Sequence, residues 1–291
     1  MTDSPSSNPF GARGYAHPET LVTTQWVNAL GGDADVAVVE VNVDITLYDE
    51  GHIPGAIGWS WKTQLADLVQ RDILSPEALA DLLGKSGITP DTTVVLYGDS
   101  NNWFAAWAFW QLKLYGHADV RIMDGGRVKW VAEGRPMTQD APSRPEVSYP
   151  VPTADASMRA MLPEVMAQVS ADAINLVDVR SPDEFTGAIL APPGLPETCQ
   201  RGGHIPGASN IPWSQAVNPD DGTFKIADDL KALYDGAGVP GDKPVITYCR
   251  IGERSSHSWF VLKYLLGYED VKNYDGSWTE WGNLVGAPVE K

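Results

Sequence analysis

Residues 244–260 read Pro244-Val-Ile-Thr-Tyr-Cys-Arg-Ile-Gly-Glu-Arg-Ser-Ser-His-Ser-Trp-Phe260. Val245–Tyr248 is a short apolar, β-branched run, which predicts a buried strand. From Ser255 onward the apolar residues Trp259, Phe260, Leu262, Leu265 and Leu266 fall at near-helical spacing. Ser255 and Ser256 are the candidate N-caps of that helix. Between strand and helix lies a short loop headed by Cys249, with Gly252 and the two arginines Arg250 and Arg254.

That order of residues suits nucleophilic sulfur chemistry. A cysteine between a strand end and a helix N-terminus feels the positive end of the helix dipole. Arg250 and Arg254 add positive charge, so the expectation is a stabilised thiolate, the reactive form. A tight loop also turns successive backbone N–H groups inward as an anion nest. The predicted substrate is therefore a small anion. The alternative is a buried, inert thiol, but an inert site has no need of an electropositive loop.

The rest of the chain sets bounds. Its 291 residues suggest about two domains. A net charge of −17 argues against general nucleic-acid binding and repels anions at long range, so any anion site must be made locally. Cys199 and Cys249 are the only cysteines. They form no disulfide framework and fit a reducing compartment. The start, Met1-Thr-Asp-Ser-Pro-Ser-Ser-Asn-Pro9, lacks the basic and apolar segments of a signal peptide. No apolar run approaches a membrane span. A cytoplasmic protein is expected, with no membrane or nucleic-acid partner. No metal-ligand spacing, phosphate loop or dinucleotide fingerprint is visible, so no metal or organic cofactor is expected.

Along the chain, a first helix is predicted over 23–30 and a strand over 36–41. A turn-rich segment then leads into a further short strand. A helix follows over 75–83 with Pro76 in its first turn, then a strand over 94–97. The aromatic-rich helix Trp103–Leu114 and the strand Val120–Met123 complete this half. Five prolines between 136 and 152 mark an extended connecting segment. After it the landmarks recur in order. The strand over 174–179 matches 36–41, and Gly203-His-Ile-Pro-Gly-Ala208 repeats Gly51-His-Ile-Pro-Gly-Ala56. The strand ending at Cys249 matches the one ending near Asp99. Asp275-Gly-Ser-Trp-Thr-Glu-Trp281 matches Asp124-Gly-Gly-Arg-Val-Lys-Trp130. An offset of roughly 140 to 150 residues makes each copy a whole domain, and alternating strands and helices make each an α/β domain with a largely parallel sheet. The first copy has Gly98-Asp99 where the second has Cys249 and lacks the arginines, so one half is competent and one structural. The second copy carries an insertion over 186–202, expected to cover the domain interface or the site.

The tandem layout carries Val177-Asp-Val-Arg-Ser-Pro-Asp-Glu-Phe185, Gly203-His-Ile-Pro-Gly-Ala208, Tyr248-Cys-Arg-Ile-Gly-Glu-Arg-Ser255 and Tyr274-Asp-Gly-Ser-Trp278. Together these resemble the two-domain rhodaneses, the thiosulfate sulfurtransferases, over residues 40–281. The resemblance implies an α/β fold of two tandem rhodanese-like domains, each a largely parallel sheet flanked by helices. An inactive first domain would span 15–138, a Pro-rich linker 139–155 and a catalytic domain 156–288, with the catalytic loop at the domain interface. It further implies that Cys249 attacks the outer sulfur of thiosulfate, releases sulfite and carries a persulfide, which cyanide or another thiol then removes by ping-pong kinetics. The loop of Ile251, Gly252, Glu253 and Ser255 would hold the persulfide through its amides. Arg180 would help set the donor, and Arg250 and Arg254 would neutralise it.

Related mercaptopyruvate sulfurtransferases have a small, nearly neutral loop of the Cys-Gly-Ser-Gly-Val-Thr type. The arginines here favour dianionic thiosulfate over a carboxylate donor. Glu253 departs from the better-known rhodanese loops and partly offsets that charge. Cysteine-dependent phosphatases and arsenate reductases are a more distant alternative. The phosphatase pattern has five residues between Cys and Arg, against four between Cys249 and Arg254. A non-catalytic persulfide sensor or sulfur relay would use the same cysteine but has less need of the arginines. Elsewhere, His52 and His204 are read as structural, His257 as a solvated helix histidine, and Cys199 as an ordinary loop cysteine. Asp178, Asp183 and Glu184 are read as partners of Arg180 or the loop. The stripe of Trp103, Trp107 and Trp110 is read as core.

Overall fold

Runs such as Val36-Ala-Val-Val-Glu40 and Thr93-Val-Val-Leu-Tyr97 are apolar without alternation, the mark of strands covered on both faces. The computed structural model describes residues 9–169, 171, 173–192, 194 and 199–291. Among these the strands are β1 (Leu21–Val22), β2 (Val36–Glu40), β3 (Ile57–Gly58), β4 (Ala66–Asp67), β5 (Asp72–Ile73), β6 (Thr93–Tyr97), β7 (Val120–Met123), β8 (Asn175–Asp178), β9 (Ser209–Asn210), β10 (Val245–Tyr248) and β11 (Val271–Tyr274). The helices are α1 (Thr24–Asn28), α2 (Leu47–Glu50), α3 (Pro76–Lys85), α4 (Trp103–Leu114), α5 (Gly126–Ala132), α6 (Leu162–Gln168), α7 (Pro182–Thr186), α8 (Ala227–Gly236), α9 (Glu253–Phe260) and α10 (Ser277–Trp281).

The chain forms two units, each built on a parallel sheet: β1-β7-β6-β2-β3 in the first and β11-β10-β8-β9 in the second. The first unit comprises 9–12, 18–155 and 217–224. The second comprises 13–17, 156–216 and 225–291. Residues 139–155 are a strap on the first unit as well as a connection. Val147 N–H donates to Gly84 O at 2.9 Å, Arg144 Nη1 to Val36 O at 2.9 Å, and Asp155 N–H to Leu114 O at 2.7 Å. The insertion over 186–202 lies partly outside the described residues.

The helices follow their sequences. Ser75 caps α3 by accepting from Ala78 N–H, with Pro76 in the first turn. The helix α4 is apolar around most of its circumference and is buried accordingly, with Trp107 and Trp110 in the core.

One arrangement recurs in both units. Tyr97 and Tyr248 each end their central strand, in register with Glu40 and Asp178 on the neighbouring one. The Tyr97 hydroxyl accepts from Ile53 N–H and the Tyr248 hydroxyl from Ile205 N–H, both at 3.1 Å. The repeated Gly-His-Ile-Pro-Gly-Ala segment is thus a backbone dock for a buried phenol. Its histidines are stacked and hydrogen-bonded. His52 stacks on Tyr48 with centroids 3.9 Å apart and bonds the Tyr48 carbonyl at 2.9 Å. His204 stacks on Phe185 at 3.6 Å and bonds its carbonyl at 3.0 Å.

This register corrects the pairing of the copies. Gly98, the residue after Tyr97, takes the place of Cys249, and Asp99 takes that of Arg250. A β-carbon on Gly98 would fall within contact radius of the Val41 carbonyl oxygen. The loop beyond is closed on itself. The Asp99 carboxylate accepts from Val43 and Asp44 N–H, and Asn102 accepts from Gly98 N–H at 3.0 Å. Replacing Gly98 with Ala should therefore destabilise the chain by about 1–3 kcal/mol, the usual cost of overpacking. Gly236→Ala, at the end of α8 with open space around it, should cost nothing. Urea midpoints of the two variants check this.

Candidate active site

Strand β10 lies between β11 and β8, and the chain leaves its C-terminal end at Cys249. Such an end, followed directly by a helix, is where open parallel sheets place their ligands. The reversal is made within four residues, because Gly252 adopts a φ of 98°. A β-carbon there would lie 2.5 Å from Asp275 Cα, so only glycine fits. The helix α9 consequently starts at Glu253, earlier than the serines suggested. Ser255 and Ser256 are not its N-caps. The Ser256 hydroxyl donates back to Gly252 O at 2.8 Å, and that of Ser255 reaches Asn273 Oδ1 at 2.6 Å.

The sulfur of Cys249 is fully buried. It accepts the Gly252 N–H at 3.1 Å, and its thiol donates to Glu253 Oε2 at 3.4 Å. The loop is braced from behind by the Asp275-Gly-Ser-Trp segment. Cys249 N–H donates to Ser277 Oγ at 3.1 Å. Trp278 N–H donates to Cys249 O at 3.0 Å, and Thr279 N–H to Arg250 O at 2.9 Å. The purpose of that motif was not legible from its letters. Its recurrence at Asp124 was the available signal.

The predicted site residues come together, but their charges are distributed otherwise than expected. Cys249, Arg250, Gly252, Glu253, Arg254 and Ser255 are buried in one loop and helix start, and Ile251 is half-buried. Arg254 is held by Glu184 through two hydrogen bonds of 2.8 Å. Glu184 also completes the capping box of α7 with Ser181. Arg250 stands 3.9 Å from the Glu253 carboxylate. Arg180 bonds Asp178 and the Gly203 carbonyl and lies over the Trp278 ring at 4.7 Å. Its Nε and Nη2 donors are thereby committed to protein partners.

The expected thiolate is therefore corrected. Burial pushes the Cys249 thiol up, and the charge of Glu253 pushes it further. The opposing pull of Arg254 and of the Ser255 amide and hydroxyl does not overcome these. Burial raises the Glu184 carboxyl too, but there the hydrogen bonds and charge of Arg254 win and hold it below its ordinary value.

One other expectation changes, and the loop cysteine Cys199 is a free, buried thiol. His257 is fully buried in α9 rather than solvated, edge-on to Trp213 with centroids 5.1 Å apart. Cys199 is packed in a core with Trp278 and Trp281. Its thiol donates to Arg201 O at 3.1 Å, and burial pushes its pKa up. Among the described residues no group of His, Cys, Asp and Glu is placed to hold a metal ion, and no helix is long and apolar enough to cross a membrane.

The model of the rhodanese-like domain family matches residues 23–133 and again 161–284. The chain belongs to the rhodanese family. It is a tandem, two-domain member, and the family's chemistry is sulfur transfer and persulfide relay. It is 58% identical over 282 residues to the sulfur carrier protein TtuD of Thermus thermophilus, covering 96% of this chain and 99% of that protein. It is 56% identical over 278 residues to a putative thiosulfate sulfurtransferase of Haloferax volcanii, covering 94% and 96%. Among solved structures it is similar to the 3-mercaptopyruvate sulfotransferase SseA of Escherichia coli, with 26% identity, a TM-score of 0.78, and 89% and 98% of the two chains covered.

Breaking a buried ion pair from one side leaves a charge uncompensated, at a cost of about 3–5 kcal/mol. Glu184→Gln is expected to destabilise this rhodanese by that order. Because the Glu184 carboxyl is held low, its contribution is complete above the ordinary carboxylate range and is lost as pH falls through its folded value. Denaturation curves of wild type and Glu184→Gln should therefore converge in acid and separate toward neutrality.

Proposed function

We propose that the chain is a thiosulfate sulfurtransferase that carries sulfane sulfur as a persulfide on Cys249. The observation that carries this reading is the buried sulfur itself, seated at the end of β10 with the Gly252 amide donating to it at 3.1 Å. A donor dipole fixed at that point costs no reorganisation when negative charge develops on sulfur. The Cys249 sulfur attacks the outer sulfur of thiosulfate, and the donor S–S bond breaks with its electron pair leaving on sulfite. Cyanide or another thiol then takes the outer sulfur and restores the thiol. Cys249 alone holds the transferred sulfur, so the cycle requires no metal or organic carrier. The two free thiols fit a reducing, cytoplasmic setting.

Within this reading Arg250 is the cation that meets the donor. Arg254 contributes its charge from the pair with Glu184, and Arg180 orders the adjoining strand end through Asp178. Thiosulfate is favoured over mercaptopyruvate because it carries the greater charge for Arg250 to meet. A second reading, relay of the persulfide to a protein acceptor, is supported by the sequence similarity to a protein named as a sulfur carrier.

Purified protein should release sulfite from thiosulfate with cyanide as acceptor, and Cys249→Ser should abolish turnover while leaving the fold intact. Turnover by the variant would overturn the assignment. Arg250→Ala should raise KM for thiosulfate more than for mercaptopyruvate, and equal changes would remove the charge argument. A higher kcat/KM for mercaptopyruvate would move the donor to that class. Persulfide formation without release to cyanide would favour relay.

A further inference from the structure

The Glu253 carboxylate is the feature of the loop that the proposed cycle leaves unused, and it is the least expected one. A site for a dianion gains nothing from a fixed negative charge beside its nucleophile. Yet Glu253 is 1% exposed, and its Oε2 lies 3.4 Å from Sγ in line to accept the thiol hydrogen. Its other oxygen, Oε1, has no hydrogen-bond partner and meets Arg250 only at 3.9 Å. Burying an incompletely bonded carboxylate is costly, and Arg254, the nearer cation in sequence, is hydrogen-bonded to Glu184 while its charge also acts on Glu253 and Cys249. The other charged or titratable groups on elements packed around Glu253 have contacts of their own. Asp275, beside Gly252, is bound to Arg159, and Lys272 on β11 to Glu164. Tyr274 donates to Glu280, the Tyr248 hydroxyl of β10 accepts from Ile205, and His257 lies along α9 against Trp213.

We propose that Glu253 is a catalytic residue, the base that takes the Cys249 proton as sulfur attacks the donor and returns it to the persulfide. This rests on the sulfur-transfer reading above. The Sγ–H bond breaks and the proton moves to Glu253 Oε2. The sulfur electron pair forms the bond to the outer sulfur of thiosulfate, and the donor S–S bond breaks with its pair departing on sulfite. The new terminal sulfur is left anionic and takes the proton back from Glu253. Electrons and protons balance without a further reactant. The pair of Cys249 and Glu253 carries one negative charge throughout. While the donor dianion is bound that charge moves from carboxylate to sulfur, where the Gly252 amide receives it. Glu253 thus allows a buried, protonated thiol to act as a nucleophile without standing as a thiolate.

The test is the single-turnover burst of sulfite from saturating thiosulfate in the full-length protein, from about pH 6 to about pH 9, across the ordinary thiol range. It is read beside the thiolate absorbance of wild type, Glu253→Gln and Glu253→Asp, each corrected by Cys249→Ser. Removing a base typically costs about 10²-fold or more. Glu253→Gln should therefore slow the neutral burst by about that factor. Its thiolate absorbance should nevertheless rise, because a neighbouring negative charge has gone. Its burst should recover as the pH climbs, and Glu253→Asp should restore part of the neutral rate. A merely repulsive Glu253 predicts instead that the neutral burst of Glu253→Gln exceeds that of wild type in step with its greater thiolate absorbance, and that result overturns the proposal. Wild type alone supplies a check that needs no variant. Its neutral burst should show a normal solvent deuterium isotope effect, and the absence of one overturns the base role. A wild type that gives no sulfite burst removes the functional reading and this inference with it. A normal wild-type burst with an unimpaired Glu253→Gln removes only the role of Glu253.

Discussion

The buried ion pair between Arg254 and Glu184 is the interaction on which the rest of the site depends. Taking both charges out of water carries a large penalty, which only good geometry and further hydrogen bonds offset. Both are present: the contact is two-pronged, and Glu184 also receives Ser181 in the capping box of α7. The pair fixes the first turn of α9 against a helix 70 residues earlier in the chain. It also neutralises the cation that the sequence had seemed to offer to the substrate. The Gly252 amide, donating to the sulfur at 3.1 Å, is set by the same turn.

The position of the sulfur then follows from backbone geometry more than from side-chain charge. The left-handed Gly252 brings α9 back within four residues of the strand. The Ser277 hydroxyl and the amides of Trp278 and Thr279 satisfy the loop from behind. A helix that reads Glu-Arg-Ser-Ser-His-Ser-Trp-Phe is buried along its whole length. Asn273 makes that tolerable for its part of the turn, bonding Gly252 O and Ser256 through its amide and receiving the Ser255 hydroxyl.

Much of this was legible in the letters. Strands such as Val245–Tyr248 and Val120–Met123 and the helix Trp103–Leu114 are bounded where their apolar runs are bounded. The duplication announces itself through the Gly-His-Ile-Pro-Gly-Ala segments, and the reactive cysteine through its place between strand and helix. Three things were hidden, each for a physical reason. The start of α9 depends on a single positive φ at Gly252, which spacing does not encode. The destination of Arg254 depends on Glu184, which is distant in the chain. The state of the Cys249 thiol depends on burial, which two nearby arginines on a page of sequence cannot reveal. His257 was misread for the same reason, since a polar helix face was taken to be a wet one.

The Val41 carbonyl beside Gly98 gives the two copies unequal futures. In the second copy, the turn after the central strand begins with the Cys249 side chain. In the first, main chain from the neighbouring segment has moved into the space where a side chain would begin. A carbonyl group cannot be trimmed as a side chain can. Placing a side chain at position 98 would require the path of the Val41 backbone to be redrawn with it, so a single substitution there is not accommodated. The position is locked by a neighbour's main chain.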